Sequence, residues 1–335
     1  MKSITRNLIM RWLRRRLPAY FAALCAVLLL VPPSDAQTYP TRTVTLLVAS
    51  STGSSMDIVA RLLGPILSQR LGQAVVVENR VGASGNIGIQ QVARAAPDGY
   101  TVLVVADTIA KSPSIFRNLQ YDPVADFAPV AKLAVAKYAL TVPSSIDAKT
   151  ASSFISIAGK SPGQLNYSSP GVATPHHLAM ELFKQTVGID LTHIPYKGSA
   201  EAITDLLAGR VQASFTPVHT ILAHVRSGKL RILAIASQTR APWFPDIPTL
   251  AEEGIPGVDS DGWAAMFVPV RTPAEIGRRL SEETLAIVAQ QDFREAAFKQ
   301  GVQVDPVGPD GLAALVRNDL AKWQKVVALA KITAD

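Results

Sequence analysis

The sequence predicts an α/β protein of two lobes, in which the chain leaves the first lobe, builds the second and returns. Three observations carry this. Short apolar runs alternate with helical patterns from residue 43 onward, an order that implies parallel strands, right-handed crossovers and helices on both sheet faces. The alternation restarts at about Asn166, with no sequence repeat and no low-complexity stretch between the halves. The last third ends in an amphipathic helix that must dock on something already built.

Taken in order, Thr43 to Val48 reads as a buried strand and Asp57 to Leu71 as a helix with Ile58, Leu62 and Ile66 on one face. A strand from Ala74 to Glu78, the turn GASGNIG, a helix through Val92 and Ala93 and the strand TVLVV from Thr101 follow. The second half runs NYS, HHLAMELF, LTHI, AITDLLAG, QASF, TILAHVRSG and RILAIA, strand and helix in turn. Thr272-Pro273-Ala274-Glu275 reads as a capping box with proline at the first helical position, its helix continuing to about Ala289. The final helix, Asp310 to Lys331, sets Leu312, Leu315, Val316, Leu320, Trp323 and Val327 along one stripe, and the first sheet is its expected partner. The expected crossings lie near Val142-Pro143 and Asp261-Gly262. Lobe one is then 37–142 with 262–335, and lobe two is 143–261.

Residues 1–36 read as a signal peptide. Arg11, Arg14, Arg15 and Arg16 precede an apolar stretch from Ala19 to Val31, too short to span a bilayer comfortably. Ser34-Asp35-Ala36 offers a cleavage site after Ala36. The general secretory route is favoured over an incomplete twin-arginine motif, and Leu24 before Cys25 argues against a lipoprotein. This segment carries six of the 33 Lys and Arg and one of the 26 Asp and Glu, leaving 27 against 25 and a net of about +2. The formal +7 of the whole chain is therefore mostly the leader's, and no basic patch argues for nucleic acid. Cys25 is the sole cysteine, so the mature chain has no disulfide, thiol chemistry or Cys-based zinc site. An exported chain of this length without disulfides points to a periplasm.

Ligands of open sheets bind beyond the carboxyl ends of strands, where loops enter helices. The loop Ser50-Ser51-Thr52-Gly53-Ser54-Ser55 has that position. Ser54, with Asp57 three residues on, can cap the helix, and the free first-turn amides point into the crevice. No Lys-Ser/Thr follows the glycine and GxGxxG is absent, so it is neither a P-loop nor a dinucleotide fingerprint. Alone, the loop reads as an anion cradle or as an ordinary capped turn. Pro170 to His177 repeats the pattern, with Thr174 as cap, Pro175 at the first helical position and His177 in the first turn. Tyr196-Lys197-Gly198-Ser199 repeats it again, with Ser199 as cap. Helix starts and charge-assisted hydrogen bonds from several loops together can hold an anion at micromolar affinity.

Other residues invite blander readings. Adjacent His176 and His177 diverge on a helix and lack an acidic neighbour, so no metal is expected. His193 reads as structural, Asp57 as a capping or lobe-stabilising carboxylate, and Trp263 and Phe267 as core. Lys197 either meets a carboxylate or snorkels. There is no GxSxG, no HExxH and no paired-acid motif, and Ser50, Ser51 and Ser54 lack a base, so neither catalysis nor a cofactor is expected.

In order and spacing, VENRVGASGNIG, ARAAPDGYT, YDPVADFAPV, LNYSSPG, HHLAMELF and HIPYKGSAEAITDLLAGRV resemble the Bug family, the extracytoplasmic solute-binding proteins of tripartite tricarboxylate transporters. The resemblance runs from about Tyr39 to Asp335. It implies a type II periplasmic-binding-protein fold whose two lobes close on a ligand bearing carboxylates, held by strand-to-helix loops, main-chain amides and ordered water. By position it implies a first carboxylate loop at Ser50, Ser51, Gly53, Ser54 and Ser55. Ser168, Gly171, Thr174 and His177 oppose it, with Lys197 and Ser199 nearby and Thr108 bordering the cleft. It also implies delivery by a monomer to a two-subunit membrane transporter or, less often, a report to a membrane sensor.

The chain departs from the family pattern in its first loop, which in relatives reads like PFPPGGGTD. Ser50 replaces a bulky aromatic, and Ser54 and Ser55 replace glycines. Thr216 stands where many relatives carry an acid, which disfavours zwitterionic amino acids and leaves di- and tricarboxylates or aromatic carboxylates. A secreted hydrolase or isomerase using the serine loop and His177 is the competing reading. A transcription-regulator effector domain is a distant third, given the export signal and the lack of a helix-turn-helix.

Overall fold

In this computed structural model, residues 39–172, 174–330 and 332 are described; the expected leader and its cleavage site lie outside them. The strand VTLLV, β1 (Val44–Val48), is buried along almost its whole length, as a strand covered on both faces should be. Helix α1 (Ser55–Leu71), β2 (Val75–Asn79), α2 (Asn86–Ala93), β3 (Thr101–Ala106) and the short α3 (Thr108–Lys111) follow. Strand β1 pairs in parallel with β2 and β3. The face of α1 turned inward carries Met56, Val59, Ala60, Leu63 and Leu67, which corrects the expected Ile58, Leu62 and Ile66. Both stripes are apolar, and the inner one carries Gly64 against Val75 and Val77 of β2.

Strand β4 (Phe127–Ala136) then joins the first sheet, and β5 (Tyr138–Pro143) already belongs to the second. The second lobe continues with α4 (Ala151–Lys160), β6 (Asn166–Ser169), α5 (Pro175–Val187), β7 (Thr192–Pro195), α6 (Ser199–Leu207), β8 (Ser214–Pro217), α7 (Val218–Arg226) and β9 (Leu230–Ile235). The chain re-enters the first lobe with β10 (Gly262–Pro269), α8 (Ala274–Val288), α9 (Gln291–Lys299), β11 (Gln303–Val307) and α10 (Pro309–Ala330). The first change of sheet thus falls at Lys137, ahead of the expected Val142-Pro143. Pro143 is the last residue of β5 rather than its boundary marker, because Tyr138 is already paired with Pro217 of β8.

The first sheet has the order β2-β1-β3-β10-β4-β11. In the second, β8-β5-β9 and β6-β7 are joined by a parallel bridge between Tyr167 and Ala213, giving β7-β6-β8-β5-β9. The expected parallel pairing holds for β2-β1-β3 and β7-β6-β8. It is corrected for β10 and β5, which run antiparallel to their neighbours. The crossover rule governs strands linked through a helix; β5 and β10 are each reached directly from the other sheet.

This topology places the loops. Because β10 is antiparallel to both β3 and β4, those two run the same way, and the exit at Ala136 lies at the edge where β1, β2 and β3 end. Tyr138 pairs with the last residue of β8, so it enters at the edge where β6, β7 and β8 end. The strand-to-helix loops of both lobes therefore project from the two edges joined at Lys137.

Helix α10 docks as expected on the first sheet, where Leu312 and Val316 pack with Leu103 and Phe267. Its second half goes further, setting Trp323, Val326 and Val327 against Ile115 and Leu178, the latter on α5. The expected capping box at Thr272 does not form. Pro273 occupies the cap position without a side-chain bond, and the buried Thr272 hydroxyl has no partner. Proline takes the residue before the helix, so Thr272 stands one position too early to reach the first-turn amides.

Candidate functional site

The first-lobe loop is braced from below. Ser54 accepts a hydrogen bond from Asp57 N at 3.3 Å and caps α1 as expected. Asp57 in turn accepts from Gly53 N at 2.9 Å, Arg61 Nε at 2.9 Å and Asn79 Nδ2 at 3.0 Å. Asn79 Nδ2 also donates to Ser50 O at 3.1 Å, tying both ends of the loop to β2. Burial alone would raise the Asp57 carboxyl, but the bonds from Arg61, Gly53 and Asn79 hold it below its ordinary value. A permanent anion there makes the loop rigid before any ligand arrives. Ser50 and Ser54 are half-buried, Ser51 and Gly53 are exposed, and Ser55 is buried at the start of α1, its hydroxyl against Met56 sulfur at 3.6 Å.

Beside this loop, Gly85 approaches so closely that a Cβ would lie 2.7 Å from Ala49 O, at a positive φ of 95°. That approach sets Asn86 at the start of α2. Its Oδ1 accepts from Tyr121 OH at 2.7 Å, while its buried Nδ2 has no partner. Thr108 opens α3 at the end of β3, next to the buried Asp107–Lys111 ion pair.

The second lobe brings its own residues together. Gly171, with φ of 140°, lies against both Thr174 and Tyr196 O, and Tyr196 N donates to Ser169 O at 2.9 Å. Thr174 caps α5, donating to Gly171 O at 2.8 Å and accepting from His177 N at 3.5 Å. The expected cap at Ser199 is corrected: Gly198 is the cap residue, Ser199 begins α6, and no side chain satisfies its first-turn amides. Those amides are thus available, whereas the amides of α1 and α5 are partly consumed by their own caps. Lys197 is exposed at the rim of this turn. Ser168, at the end of β6, is 1% exposed and its hydroxyl has no partner.

His177 is buried in a ladder of rings, stacked on His193 at 4.0 Å, with Tyr167 stacked on His193 at 4.8 Å. Burial, reinforced by Lys184, pushes His177 down to about 4, and burial with His177 does the same to His193. Both rings are neutral at pH 7. His193 Nε2 meets Ser169 Oγ at 2.7 Å, which resembles a nucleophile and its base. Yet Ser169 is fully buried, donates to Gly171 O at 2.8 Å and accepts from Gly171 N at 3.2 Å. With its proton committed to a carbonyl, this hydroxyl buckles the 169–171 turn. Trp263 and Phe267 are core residues, and Trp263 Nε1 donates to Asp319 at 2.7 Å. Among the described residues no His/Cys/Asp/Glu cluster could hold a metal ion, and no helix is long and apolar enough to cross a membrane.

Sequence reasoning missed Asn79, Arg61 and Asn86. The first two carried a signal, since Arg61 lies one helical turn beyond Asp57 and Asn79 ends the strand beside β1. Asn86 carried none beyond its glycine-rich neighbours. Thr216, at the end of β8, is buried and donates to Thr141 Oγ1 at 2.9 Å across the strands.

A family model described as the tripartite tricarboxylate transporter family receptor matches residues 59–331. Protein BugT of Bordetella pertussis is 32% identical over 93% of this chain and 96% of its own. Among solved structures, R. palustris Rpa4515 with adipate is 33% identical with a TM-score of 0.82, covering 88% of this chain and 99% of that one. MatC from Rhodopseudomonas palustris with bound malate is 31% identical with a TM-score of 0.77, covering 86% and 100%.

Proposed function

The chain belongs to the tripartite tricarboxylate transporter receptor family, and from that premise we propose that it captures a small organic anion bearing one or more carboxylates between its lobes. The family is one of extracytoplasmic solute-binding receptors, not of enzymes, which sets aside the hydrolase or isomerase reading. The observation that carries the proposal is the braced Ser50–Ser55 loop at the start of α1, on the sheet edge joined through Lys137 to the edge that bears the uncapped amides of α6 and the unpartnered Ser168 hydroxyl. Such a set presents hydrogen-bond donors without a formal counter-charge, which suits a carboxylate. Relatives solved with adipate and malate support the same chemistry.

In this reading the ligand-binding residues are Ser50, Ser51, Gly53, Ser54, Ser55 and Thr108 of lobe one. Ser168, Gly171, Thr174, His177, Lys197 and Ser199 serve from lobe two. The lobes meet at Lys137 and Asp261, and closure about those points traps the ligand through contacts made only in the closed state. The mature protein, exported and cleaved after Ala36, acts as a monomer and delivers its cargo to a two-subunit membrane transporter. Thermal-shift screening of organic acids on the mature chain, followed by calorimetry, tests this. Stabilisation by a di- or tricarboxylate or an aromatic acid is expected. A shift given by a non-ionic solute and by no acid would overturn it.

A further inference from the structure

The two lobes also touch at a place remote from the candidate loops. Trp243, in the segment after β9, stacks on Phe298 of α9 at 5.0 Å between ring centroids and 18° between planes. Its indole Nε1 donates to Phe298 O at 3.0 Å. Nearby, Gly301 lies so close to α7 that a Cβ would fall 2.5 Å from His219 Cβ. Trp243 is rooted in the second-lobe core with Ile235 and Ala241, whereas Phe298 is 41% exposed and serves the first lobe's interior little.

The sheet orders locate this contact relative to the passages between lobes. In the first sheet, β10 and β4 separate the strands that bear the candidate loops, β3, β1 and β2, from β11. In the second sheet, β5 separates β8, β6 and β7 from β9. Phe298 precedes β11 and Trp243 follows β9, so their contact lies across the passages from Ser50–Ser55 and Ser168–Ser199, whereas the Gly301–His219 approach lies at the passage itself, where Val218 N donates to Lys137 O at 2.9 Å. The apolar contact between α10 and α5 sits at the passages themselves, because His176 of α5 packs edge-on against Tyr138 at 5.1 Å. A rotation about Lys137 and Asp261 that brings the candidate loops together must draw Trp243 and Phe298 apart.

We propose that Trp243 and Phe298 form a latch that holds the lobes open, and that they set ligand affinity as positioning residues without touching the ligand. This rests on the lobe closure proposed above, though not on the chemistry of the ligand. An aromatic pair of this kind shifts a two-state equilibrium by about two- to tenfold, and apparent affinity scales with the closed fraction.

The test uses the mature chain, which has no cysteine of its own, with spin labels at Gln91→Cys on α2 and Thr204→Cys on α6. Distances are measured without ligand. Phe298→Ala is expected to move population toward the shorter distance, with Trp243→Phe, which keeps a ring and loses the N–H, lying between it and the parent. A Phe298→Ala distribution that superimposes on the parent, or shifts to longer distances, overturns the latch. If Phe298→Ala loses its fold by circular dichroism, the same criterion is applied to Trp243→Phe. An adipate titration of the same proteins is expected to show about two- to tenfold tighter binding in Phe298→Ala. Adipate bound with unchanged affinity despite a shifted distance overturns the role in affinity. No binding of any organic acid by any variant removes the carboxylate reading and leaves the distance result to decide the latch.

Discussion

Lys137 and Asp261 form an ion pair of 2.7 Å joining the two points at which the chain passes between its sheets. Lys137 precedes β5 and Asp261 precedes β10, so neither belongs to a sheet. Lys137 Nζ also donates to Thr239 Oγ1 at 3.0 Å and to Ser237 Oγ, and Ser237 Oγ donates to the same Asp261 oxygen at 2.7 Å. All three ammonium protons are used. The passages are thereby pinned to each other, and relative motion of the lobes becomes rotation about one point.

Breaking that pair leaves a buried charge without its partner. Lys137→Met is expected to destabilise the protein toward the lower end of about 3–5 kcal/mol, since Asp261 keeps some access to water. Lys137→Met combined with Asp261→Leu should recover most of the loss, because both charges are then gone. Urea unfolding of the three variants measures this. A double variant no more stable than Lys137→Met would mean that the pair's desolvation is not the governing cost.

The serines of the first loop should govern preference more than stability. Ser54 caps α1 through its hydroxyl, and glycine at a cap position costs only a few tenths of a kcal/mol. Ser54→Gly frees the Asp57 amide, and Ser50→Phe closes a polar opening at the end of β1. Each should move the thermal midpoint by less than about 2 °C while changing the rank order of bound organic acids. Identical binding profiles in both variants would refute the assignment.

Acid should unfold this protein through its histidines. His176 is pushed down to about 3, and His177, His193 and His219 to about 4, in each case chiefly by burial. Folded values lie below the ordinary 6.5, so between roughly pH 6.5 and 4 the unfolded chain binds protons that the folded chain refuses. Stability is complete above that window and falls as pH drops through it, by up to about 1.4 kcal/mol per pH unit for each histidine. Below about pH 4 His177, His193 and His219 protonate in both states, His176 follows below about pH 3, and the slope relaxes. His177→Phe keeps the ring stack with His193 and removes one titrating site, so its stability should fall less steeply between pH 6 and 4.5. An unchanged slope would assign the acid sensitivity elsewhere.

Much of the fold could be read from periodicity, because β1, β3 and the helices of the second lobe bury one kind of residue at one spacing. The alternation could not reveal that β5 and β10 run antiparallel, since strand direction across a lobe change is set by pairing partners distant in sequence. Nor could it choose the inner face of α1, where two apolar stripes compete and packing on strands distant in sequence decides. At the site, the caps at Ser54 and Thr174 were legible because a hydroxyl immediately before a helical run has one dominant use. Ser199 failed because the helix begins one residue earlier than the hydroxyl suggested, which puts Gly198 at the cap and Ser199 in the first turn. The brace from Asn79 was hidden because it joins neighbouring strands that are 31 residues apart from Val48 to Asn79.

Ser168 offers the sharpest separation of binding from folding. Its hydroxyl is buried at the end of β6 and bonded to nothing, an arrangement that costs the folded protein about 1–3 kcal/mol of unrecovered desolvation. Its main chain is fully engaged, with N donating to Ala213 O at 3.0 Å and O accepting from Ser214 Oγ at 3.0 Å. Ser168→Ala removes only the unsatisfied group and leaves a methyl where the hydroxymethyl stood. The ligand-free variant should therefore be as stable as the parent or more stable by about 1 kcal/mol. If the hydroxyl is held ready for a ligand oxygen, the same change should weaken organic-acid binding by about tenfold, one lost hydrogen bond to a charged group. Calorimetric unfolding without ligand and titration with the best organic acid supply the two numbers. A variant that gains stability and binds as well as the parent would remove Ser168 from the site.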